Sequence, residues 1–288
     1  MSKIALITGC STGVGLHLAV ILAGRGYRSY ATMRDLAKKD ALLQLADAAG
    51  VEIHLKQLDV SDSDSVNNCV EEVIAEAGAI DLLVNNAGAG FVRTTEQASE
   101  EEVRWVTDVN YLGVVRCCKA VLPHMRERRS GHIINVTSVG GLVGQPFNEF
   151  YCAAKFAVEG YTESLASYVQ PKFNIKFTCV EPGGIATEFA NNALAQFQSG
   201  GGMVDDEYKP LLEQYIAGAQ ARAQAGDSTV FQSGEQVAEV IADCADNPDP
   251  PVRIRSSQWA EQFCQLKTGL DPDGKKLQSL VIENVLGG

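Results

Sequence analysis

The sequence has 288 residues and a net charge of −12, and it contains no basic block that would bind nucleic acid or an anionic membrane surface. No apolar stretch approaches the roughly 20 residues that a membrane-spanning helix needs, so we expect no membrane span. The length and the 45% share of hydrophobic residues predict a single globular domain. The first residues have the pattern of a strand and not of a leader peptide, and we therefore expect a cytoplasmic protein.

Cysteine and histidine positions do not suggest a metal site. The eight cysteines lack a C-x-x-C pair and lie mostly in apolar runs, which predicts buried thiols. The four histidines share no spacing. Asp271–Gly274 resembles the start of a calcium loop, but Ile282 stands at the twelfth position, where an acidic residue is needed. We predict no bound metal.

Short apolar runs alternate with helical segments along most of the chain. The runs occupy residues 3–8, 28–33, 51–58, 80–85, 132–138, 175–180 and 251–256. Such alternation predicts parallel strands joined by crossover helices. The expected fold class is therefore α/β, with a Rossmann-type, doubly wound parallel sheet.

A glycine-rich loop, TGCSTGVG, follows the first strand and leads into a helix. Its residues Gly9, Gly13 and Gly15 permit a tight turn and let a pyrophosphate approach the positive end of the helix. In isolation such a loop is also explained as a plain turn. The strand before it and the helix after it favour cofactor binding.

A candidate for proton transfer lies in the predicted helix that starts near residue 151. Tyr151 and Lys155 stand four residues apart, on one helical face, and the lysine charge is expected to lower the phenol pKa from about 10. Ser138, at the end of run 132–138, can donate to a substrate oxygen at the carboxyl edge of the sheet. Each residue alone also fits an ordinary helix surface or turn. Together they predict an alcohol or ketone oxidoreductase.

The glycine loop, NNAG at 85–88 and YCAAK at 151–155 jointly resemble the short-chain dehydrogenase/reductase family, in its short, single-domain branch. GCSTGVGLHLA, YATMRDL and EPGGIATEF resemble the subgroup that includes 17β-hydroxysteroid dehydrogenase type 1 and the retinol dehydrogenases. The resemblance implies that Ser138 steadies the substrate oxygen and Tyr151 is the general acid and base. It also implies that Lys155 holds the ribose and tunes Tyr151, and that Asn110 holds a water of the proton relay.

The same resemblance implies a site for a nicotinamide dinucleotide, with Asp59 at the adenine, residues 86–88 beside its ribose and residues 182–187 over the nicotinamide. The predicted cofactor residues are Gly9, Ser11, Thr12, Gly13, Val14, Gly15, Arg34, Asp59, Val60, Asn86, Ala87, Gly88, Tyr151, Lys155, Pro182, Gly183, Ile185 and Thr187.

The second strand predicts a preference for NADP(H) over NAD(H). In NAD-specific relatives an acidic residue ends this strand, whereas Met33 stands there in this chain. Arg34 follows and can form paired hydrogen bonds to a 2′-phosphate, with Ser11 assisting. The alternative is an ordinary surface arginine that opens the next helix, with the adjacent Asp35 as a carboxylate it could pair with.

The alternation stops after Thr187 for some forty residues. We predict a dinucleotide-binding catalytic domain at 1–256 with an inserted helical substrate lid at 188–232, and a C-terminal extension at 257–288 packed on the same domain. Gly200–Gly202 offers a hinge. The expected substrate is a bulky, apolar alcohol or ketone of steroid, retinoid or aryl type. The apolar residues proposed to line its pocket are Phe189, Leu194, Phe197, Met203, Tyr208, Leu211, Leu212, Tyr215, Val139, Leu142, Val143 and Phe147.

Those lid residues could instead only pack the helices onto the body. Specific oestrogen recognition is not expected, because the hormone-specific enzyme of the subgroup uses a histidine in this segment and no histidine occurs after His132.

Helices expected around 100–126 and 151–169 pack against a partner subunit in the resembled family, which predicts a homodimer or homotetramer. Two other functions fit the fold, an NAD(P)-binding regulator without turnover and an epimerase or dehydratase. The intact set Ser138, Tyr151 and Lys155 argues against the first, and the glycine spacing argues against the second.

Overall fold

The computed structural model describes residues 2–224 and 230–286. Its strands are β1 (Ile4–Ile7), β2 (Arg28–Met33), β3 (Ile53–Gln57), β4 (Leu82–Asn85), β5 (Gly131–Val136), β6 (Ile175–Glu181), β7 (Gly184–Ala186), β8 (Phe231–Ser233) and β9 (Arg253–Arg255). Its α-helices are α1 (Gly13–Gly24), α2 (Asp40–Ala49), α3 (Ser63–Ala77), α4 (Glu100–Thr107), α5 (Gly113–Arg128), α6 (Glu149–Phe173), α7 (Glu188–Ser199), α8 (Lys209–Gln224), α9 (Gly234–Asp246), α10 (Gln258–Thr268) and α11 (Lys275–Val281). Short 3₁₀ turns lie at Leu36–Lys38 and Val139–Gly141, and π-helical turns lie at Asp108–Leu112 and Ile282–Leu286.

Seven strands form one parallel sheet in the order β3-β2-β1-β4-β5-β6-β9. The order reverses between β1 and β4, and this switch point opens a crevice at the carboxyl ends of the strands. The predicted Rossmann-type, doubly wound fold is confirmed, and each predicted apolar run overlaps one of the seven strands. β5 stops at Val136, so Ser138 lies in the loop beyond the strand.

Both faces of the sheet are covered, which explains why the central strands β1 and β4 are apolar almost throughout. In β1, Leu6 packs into the core beneath α3, α5 and α6, whereas Ala5 and Ile7 pack into the core beneath α1, α2 and α9. All four residues of β1 are buried. Alternate side chains of one strand thus build two separate cores.

A second, two-stranded parallel sheet, formed by β7 and β8, was not predicted from the sequence. It pairs Ile185 with Gln232 and brings together the two ends of the segment that contains α7 and α8. The predicted lid segment 188–232 begins just after β7 and ends inside β8.

The helices and the C-terminal segment complete the body. No helix within the described ranges is both long enough and apolar enough to cross a bilayer. All eight cysteines are buried free thiols, as predicted. Residues of α10, including Ala260 and Cys264, pack on Val139 and Leu142, next to the carboxyl end of β5. The C-terminal segment therefore supports the loop that carries Ser138.

Candidate active site

Three predicted catalytic residues converge beyond the carboxyl end of β5. Ser138 lies two residues after that strand, and α6 presents Tyr151 and Lys155 one turn apart. The Ser138 hydroxyl forms a hydrogen bond with the Tyr151 hydroxyl. Lys155 Nζ donates to the carbonyl oxygen of Val136 (2.9 Å) and lies 5.7 Å from the centre of the Tyr151 ring. The arrangement places an acid, a cation and a hydroxyl donor around one point.

Burial dominates the acid–base properties of this cluster. It raises the pKa of Tyr151 to about 12, although the Ser138 hydrogen bond acts in the opposite direction. It also lowers the pKa of Lys155 to about 8, against the charge of Glu159 one turn further along α6. The expectation that the pKa of this phenol lies below its ordinary value is therefore wrong for this structure, because burial raises the pKa by more than the Ser138 hydrogen bond lowers it. Tyr151 keeps its proton at neutral pH and is suited to donate it.

Asn110 reaches the same site from a π-helical turn between α4 and α5. Its Nδ2 donates to the carbonyl oxygens of Ala89 and Val106 (both 2.9 Å), and its Oδ1 accepts from Ala89 N (3.1 Å). A Cβ placed on Gly88 would lie 3.0 Å from Asn110 Oδ1 and 3.6 Å from Lys155 Nζ. A π turn is a common feature of functional sites, but nothing in the sequence DVNYL predicted this one.

The glycine-rich loop has a backbone shape that side chains would obstruct. Gly13 has a φ of +62°, in the region that favours glycine. A Cβ on Gly15 would lie 2.4 Å from Asn86 Nδ2 and 2.5 Å from Gly9 O. Asn86 Nδ2 itself donates to Gly9 O (3.1 Å), so the segment after β4 is tied to the loop. Thr12, the N-cap of α1, makes no side-chain cap, which leaves the first N–H groups of the helix directed toward an anion site.

Residues 182–187 form the facing wall. Pro182 O accepts from Val139 N (2.9 Å), which joins this wall to the Ser138 loop. Gly183 packs against Trp259 of α10, and Ile185 lies in β7. Thr187 caps α7, and its side chain lies 3.5 Å from the position of a Cβ on Gly13. The two predicted cofactor segments thus meet.

At the far end of the crevice, Met33 is buried and Arg34 is exposed. Within residues 2–224 and 230–286, the Arg34 side chain forms no ion pair, and the neighbouring Asp35 carboxylate accepts from Ala37 N (2.9 Å). Asp59 accepts from the backbone N–H and the hydroxyl of Ser61 (2.9 and 2.6 Å). The Arg34–Asp35 pair, one part of the alternative interpretation, is absent from this structure.

Four further residues were predicted to bind the cofactor, namely Val60, Val14, Ala87 and Ser11. Val60 is buried and packs against Gly113, while Val14 is buried at the start of α1. Ala87 N donates to Thr8 Oγ1 (3.0 Å), and Ser11 is half-buried in the glycine-rich loop.

The apolar residues predicted to line a substrate pocket do not share one environment. Phe189 is 40% exposed and its ring meets Tyr151 edge-on at 5.9 Å. Tyr215 packs on Phe147 (5.4 Å) and accepts from Asn148 Nδ2 (2.8 Å). Tyr208 lies elsewhere, because its hydroxyl donates to Glu96 Oε1 (2.6 Å) at the surface.

Other lid residues also depart from the predicted inward orientation. Phe197 and Leu212 are buried and attach the lid helices to the body, whereas Leu211 is 55% exposed. Leu194 is likewise exposed at 42%. Amphipathic helices need such a packing face, so apolar character alone did not distinguish pocket residues from packing residues.

Two charged residues near the site were not singled out from the sequence. Glu159 is 5% exposed, and burial raises its pKa to about 7. Its spacing of four residues from Lys155 could have identified it. Arg93 is 3% exposed in the loop between β4 and α4, and no pattern in that loop marks it as buried.

Comparison with known proteins shows which family the chain resembles. The family model of the short chain dehydrogenases matches residues 3–197. Retinol dehydrogenase 8 of Bos taurus is 41% identical over 278 residues, which cover 94% of this chain and 86% of that protein. The 17-beta-hydroxysteroid dehydrogenase type 1 of Homo sapiens is 37% identical over 290 residues, covering 99% and 86%. The solved structure of actinorhodin polyketide ketoreductase with NADPH aligns with a TM-score of 0.71 at 29% identity, covering 84% of this chain and 89% of that one.

Proposed function

The chain belongs to the short-chain dehydrogenases and is an oxidoreductase that acts on CH–OH groups, and we propose that it interconverts a bulky, apolar secondary alcohol and its ketone with NADP(H). The observation that carries the proposal is the convergence of Ser138, Tyr151 and Lys155 next to a phosphate-binding loop, at the carboxyl edge of a parallel sheet.

The crevice fits a dinucleotide. A Cβ at Gly15 would fill the space between the loop and Asn86, and the uncapped start of α1 can bind phosphate oxygens. Gly9, Gly13 and Gly15 would admit the pyrophosphate, and residues 182–187 would enclose the nicotinamide. The bound nicotinamide supplies or accepts the hydride.

The protein's own residues manage the proton. Ser138 donates a hydrogen bond that holds the substrate oxygen against Tyr151. In the direction of reduction, Tyr151 gives its proton to that oxygen, and in the direction of oxidation it takes the proton back. Lys155, fixed by Val136 O, stabilises the phenolate that remains after donation. Asn110 fixes the backbone of Ala89 through two hydrogen bonds, in the segment that follows β4.

The preference for NADP(H) is supported by the end of β2. Met33 is 2% exposed and leaves no carboxylate to repel a 2′-phosphate. Arg34 is exposed and has no competing ion pair within the described ranges, so its guanidinium is available for paired hydrogen bonds. A relative of known structure was solved with NADPH.

The class of substrate is supported by Phe189, whose ring contacts Tyr151, and by the pair Phe147 and Tyr215. These aromatic groups would bind an apolar ring system better than a short chain. In this proposal residues 188–232 form the substrate lid of a catalytic domain at 1–256, and residues 257–288 extend the same domain.

Self-association is also part of the proposal. Exposed apolar side chains lie on the outer faces of α4, α6 and the turn between α4 and α5, among them Trp105, Leu112, Phe156 and Tyr168. Burying them in a homodimer or homotetramer would remove this surface from water. Light scattering that gives a monomer mass of 30.9 kDa at micromolar concentration would contradict this part.

The experiment for the proposed function follows absorbance at 340 nm with steroid, retinoid and aryl ketones, acetone and both reduced cofactors. We expect the highest kcat/KM for a large apolar ketone with NADPH. Turnover of none of these ketones, or a preference for acetone, would overturn the proposal.

A further inference from the structure

Arg93 connects the β4–α4 loop to the end of the lid helix α7. Its guanidinium donates to Gly202 O (3.0 Å), to Phe197 O (3.4 Å) and to Gly200 O, and it lies over the Phe197 ring at 5.1 Å. The side chain is only 3% exposed. A buried guanidinium thus donates hydrogen bonds to the backbone of the lid.

The electrostatics of this contact are favourable. Phe197 lies in the last turn of α7, Gly200 is its C-cap and Gly202 lies two residues further along the chain. Carbonyl groups at the end of a helix carry partial negative charge, so a cation is stabilised there. Among the described residues, Glu102 is the one carboxylate paired with Arg93, at 3.4 Å, and it also accepts from Ser99 in the capping box of α4. Arg93 therefore directs more of its hydrogen bonds to the lid than to its ionic partner.

The β4–α4 loop also contacts the first half of α7, and it is hydrogen-bonded to Phe147. A Cβ on Gly90 would lie 2.7 Å from Ala193 Cβ and 3.0 Å from the Phe189 ring, which itself meets Tyr151. Arg93 N donates to Phe147 O (2.9 Å), and Phe147 packs on Tyr215 of α8. The position of Arg93 is thus linked both to Phe189 and to the pair formed by Phe147 and Tyr215.

Other links between loop and lid are weaker. The Tyr208–Glu96 and Gln97–Asp206 hydrogen bonds lie at the surface, where water competes for the same groups. Buried hydrogen bonds to a charged donor contribute more than these. If α7 moved away, water could hydrate both the guanidinium and the carbonyl groups, so the contact can be broken and remade.

We propose that Arg93 is a positioning residue that holds α7 against the catalytic tyrosine and thereby determines the selectivity for bulky apolar substrates. The inference rests on the proposed function, since it assigns a specificity role within that site. It adds a residue that touches neither the reacting atoms nor the cofactor residues.

The test compares Arg93→Met with the wild type, using 2-acetylnaphthalene and acetone as ketones. We expect KM for the large ketone to rise about tenfold or more, the scale of losing hydrogen bonds to a charged group. Cofactor affinity and kcat/KM for acetone should stay within about twofold of the wild type. Hydrogen exchange of the α7 amides (188–199) should accelerate in the variant.

Arg128→Met is the matched control, because Arg128 pairs with Asp81 (2.7 Å) and donates to Ile80 O (3.5 Å) at the opposite edge of the sheet. It should change neither the ketone ratio nor α7 exchange. Arg93→Lys, which keeps the charge but reaches fewer carbonyl groups, should give an intermediate effect and replaces the methionine variant if that one does not fold.

The inference is overturned if the Arg93 variants keep the wild-type ratio of kcat/KM between the two ketones and the wild-type hydrogen exchange of the α7 amides. A wild type that prefers acetone would instead reject the proposed function, and the exchange of α7 would still decide whether Arg93 holds the lid.

Discussion

The two walls of the catalytic crevice are built in different ways. The glycine-rich wall is fixed by backbone shape, since a single added Cβ at Gly15 would lie within 2.5 Å of Gly9 O. The lid wall, formed by α7, is held by side chains, chiefly the buried Arg93 and the 40% exposed Phe189. A wall fixed by backbone admits few residue types at each position, whereas a wall held by side chains can change with modest loss of stability. We infer that cofactor binding is the rigid part of this site and substrate choice the adjustable part.

Gly15→Ala should give the largest effect and tests whether the glycine-rich wall is rigid. The new methyl group would meet Asn86 Nδ2 at 2.4 Å and displace the loop from the segment after β4. Overpacking of this kind costs about 1–3 kcal/mol. We expect cofactor affinity, measured by fluorescence titration with NADPH, to fall by about tenfold or more, together with a lower Tm.

Gly24→Ala is the control, because a Cβ there, at the end of the same helix, meets nothing within 4 Å. It should leave cofactor affinity unchanged and should not lower Tm, because alanine is a better helix former than glycine. Equal behaviour of the two variants would show that the glycine-rich wall is not rigid.

Arg34→Ala tests the cofactor side of the crevice at an exposed side chain beyond β2. Losing paired hydrogen bonds to a phosphate should lower kcat/KM with NADPH by about tenfold or more and leave the value with NADH nearly unchanged. Kinetics with both cofactors measure the effect. Equal use of NADPH and NADH by the wild type would contradict the assignment.

Phe189→Ala tests the lid wall, where we expect a smaller change. Removing the ring that meets Tyr151 should raise KM for a large aryl ketone several-fold without altering cofactor affinity. Leu194→Ala on the same helix is a matched control, since Leu194 is 42% exposed, close to the 40% of Phe189. If both variants behave alike, Phe189 does not line the substrate site.

Replacing His132, a buried residue of β5, should have the smallest effect on activity and a clear effect on stability. Burial lowers its pKa from 6.5 to about 3, and its Nε2 lies 3.0 Å from Thr178 Oγ1. Between those pH values the unfolded chain binds the proton and the folded chain does not, so stability falls as the pH falls from about 6.5 toward 3. His132→Gln should weaken this dependence of Tm on pH. An unchanged dependence would show that another group controls acid unfolding.

The same contrast explains what the sequence could predict. All seven strands of the main sheet were predicted from apolar runs, because burial on both faces selects apolar residues. The glycine-rich loop was predicted from its spacing, because its backbone shape requires glycine. The three-residue strands β7 and β8 are too short to show a period, and the π turn at Asn110 has no sequence signal. The burial of Arg93 depends on where α7 packs, which local sequence does not encode.

The pKa of Tyr151 was predicted in the wrong direction for a related reason. Helical spacing revealed the neighbouring Lys155, but the loss of solvent around the phenol arises from tertiary packing. Charge neighbours can be inferred from spacing, whereas desolvation requires the folded chain.

The most direct measurement is kcat for ketone reduction by Tyr151→Phe, together with its affinity for NADPH. Loss of the proton donor should lower kcat by about three or more orders of magnitude and leave the Kd for NADPH nearly unchanged. Tyr161→Phe on the same helix, whose ring packs edge-on against Tyr111 at 6.3 Å, should retain most of the activity. If Tyr151→Phe keeps a tenth of the wild-type kcat, Tyr151 is not the proton donor and the proposed mechanism is wrong.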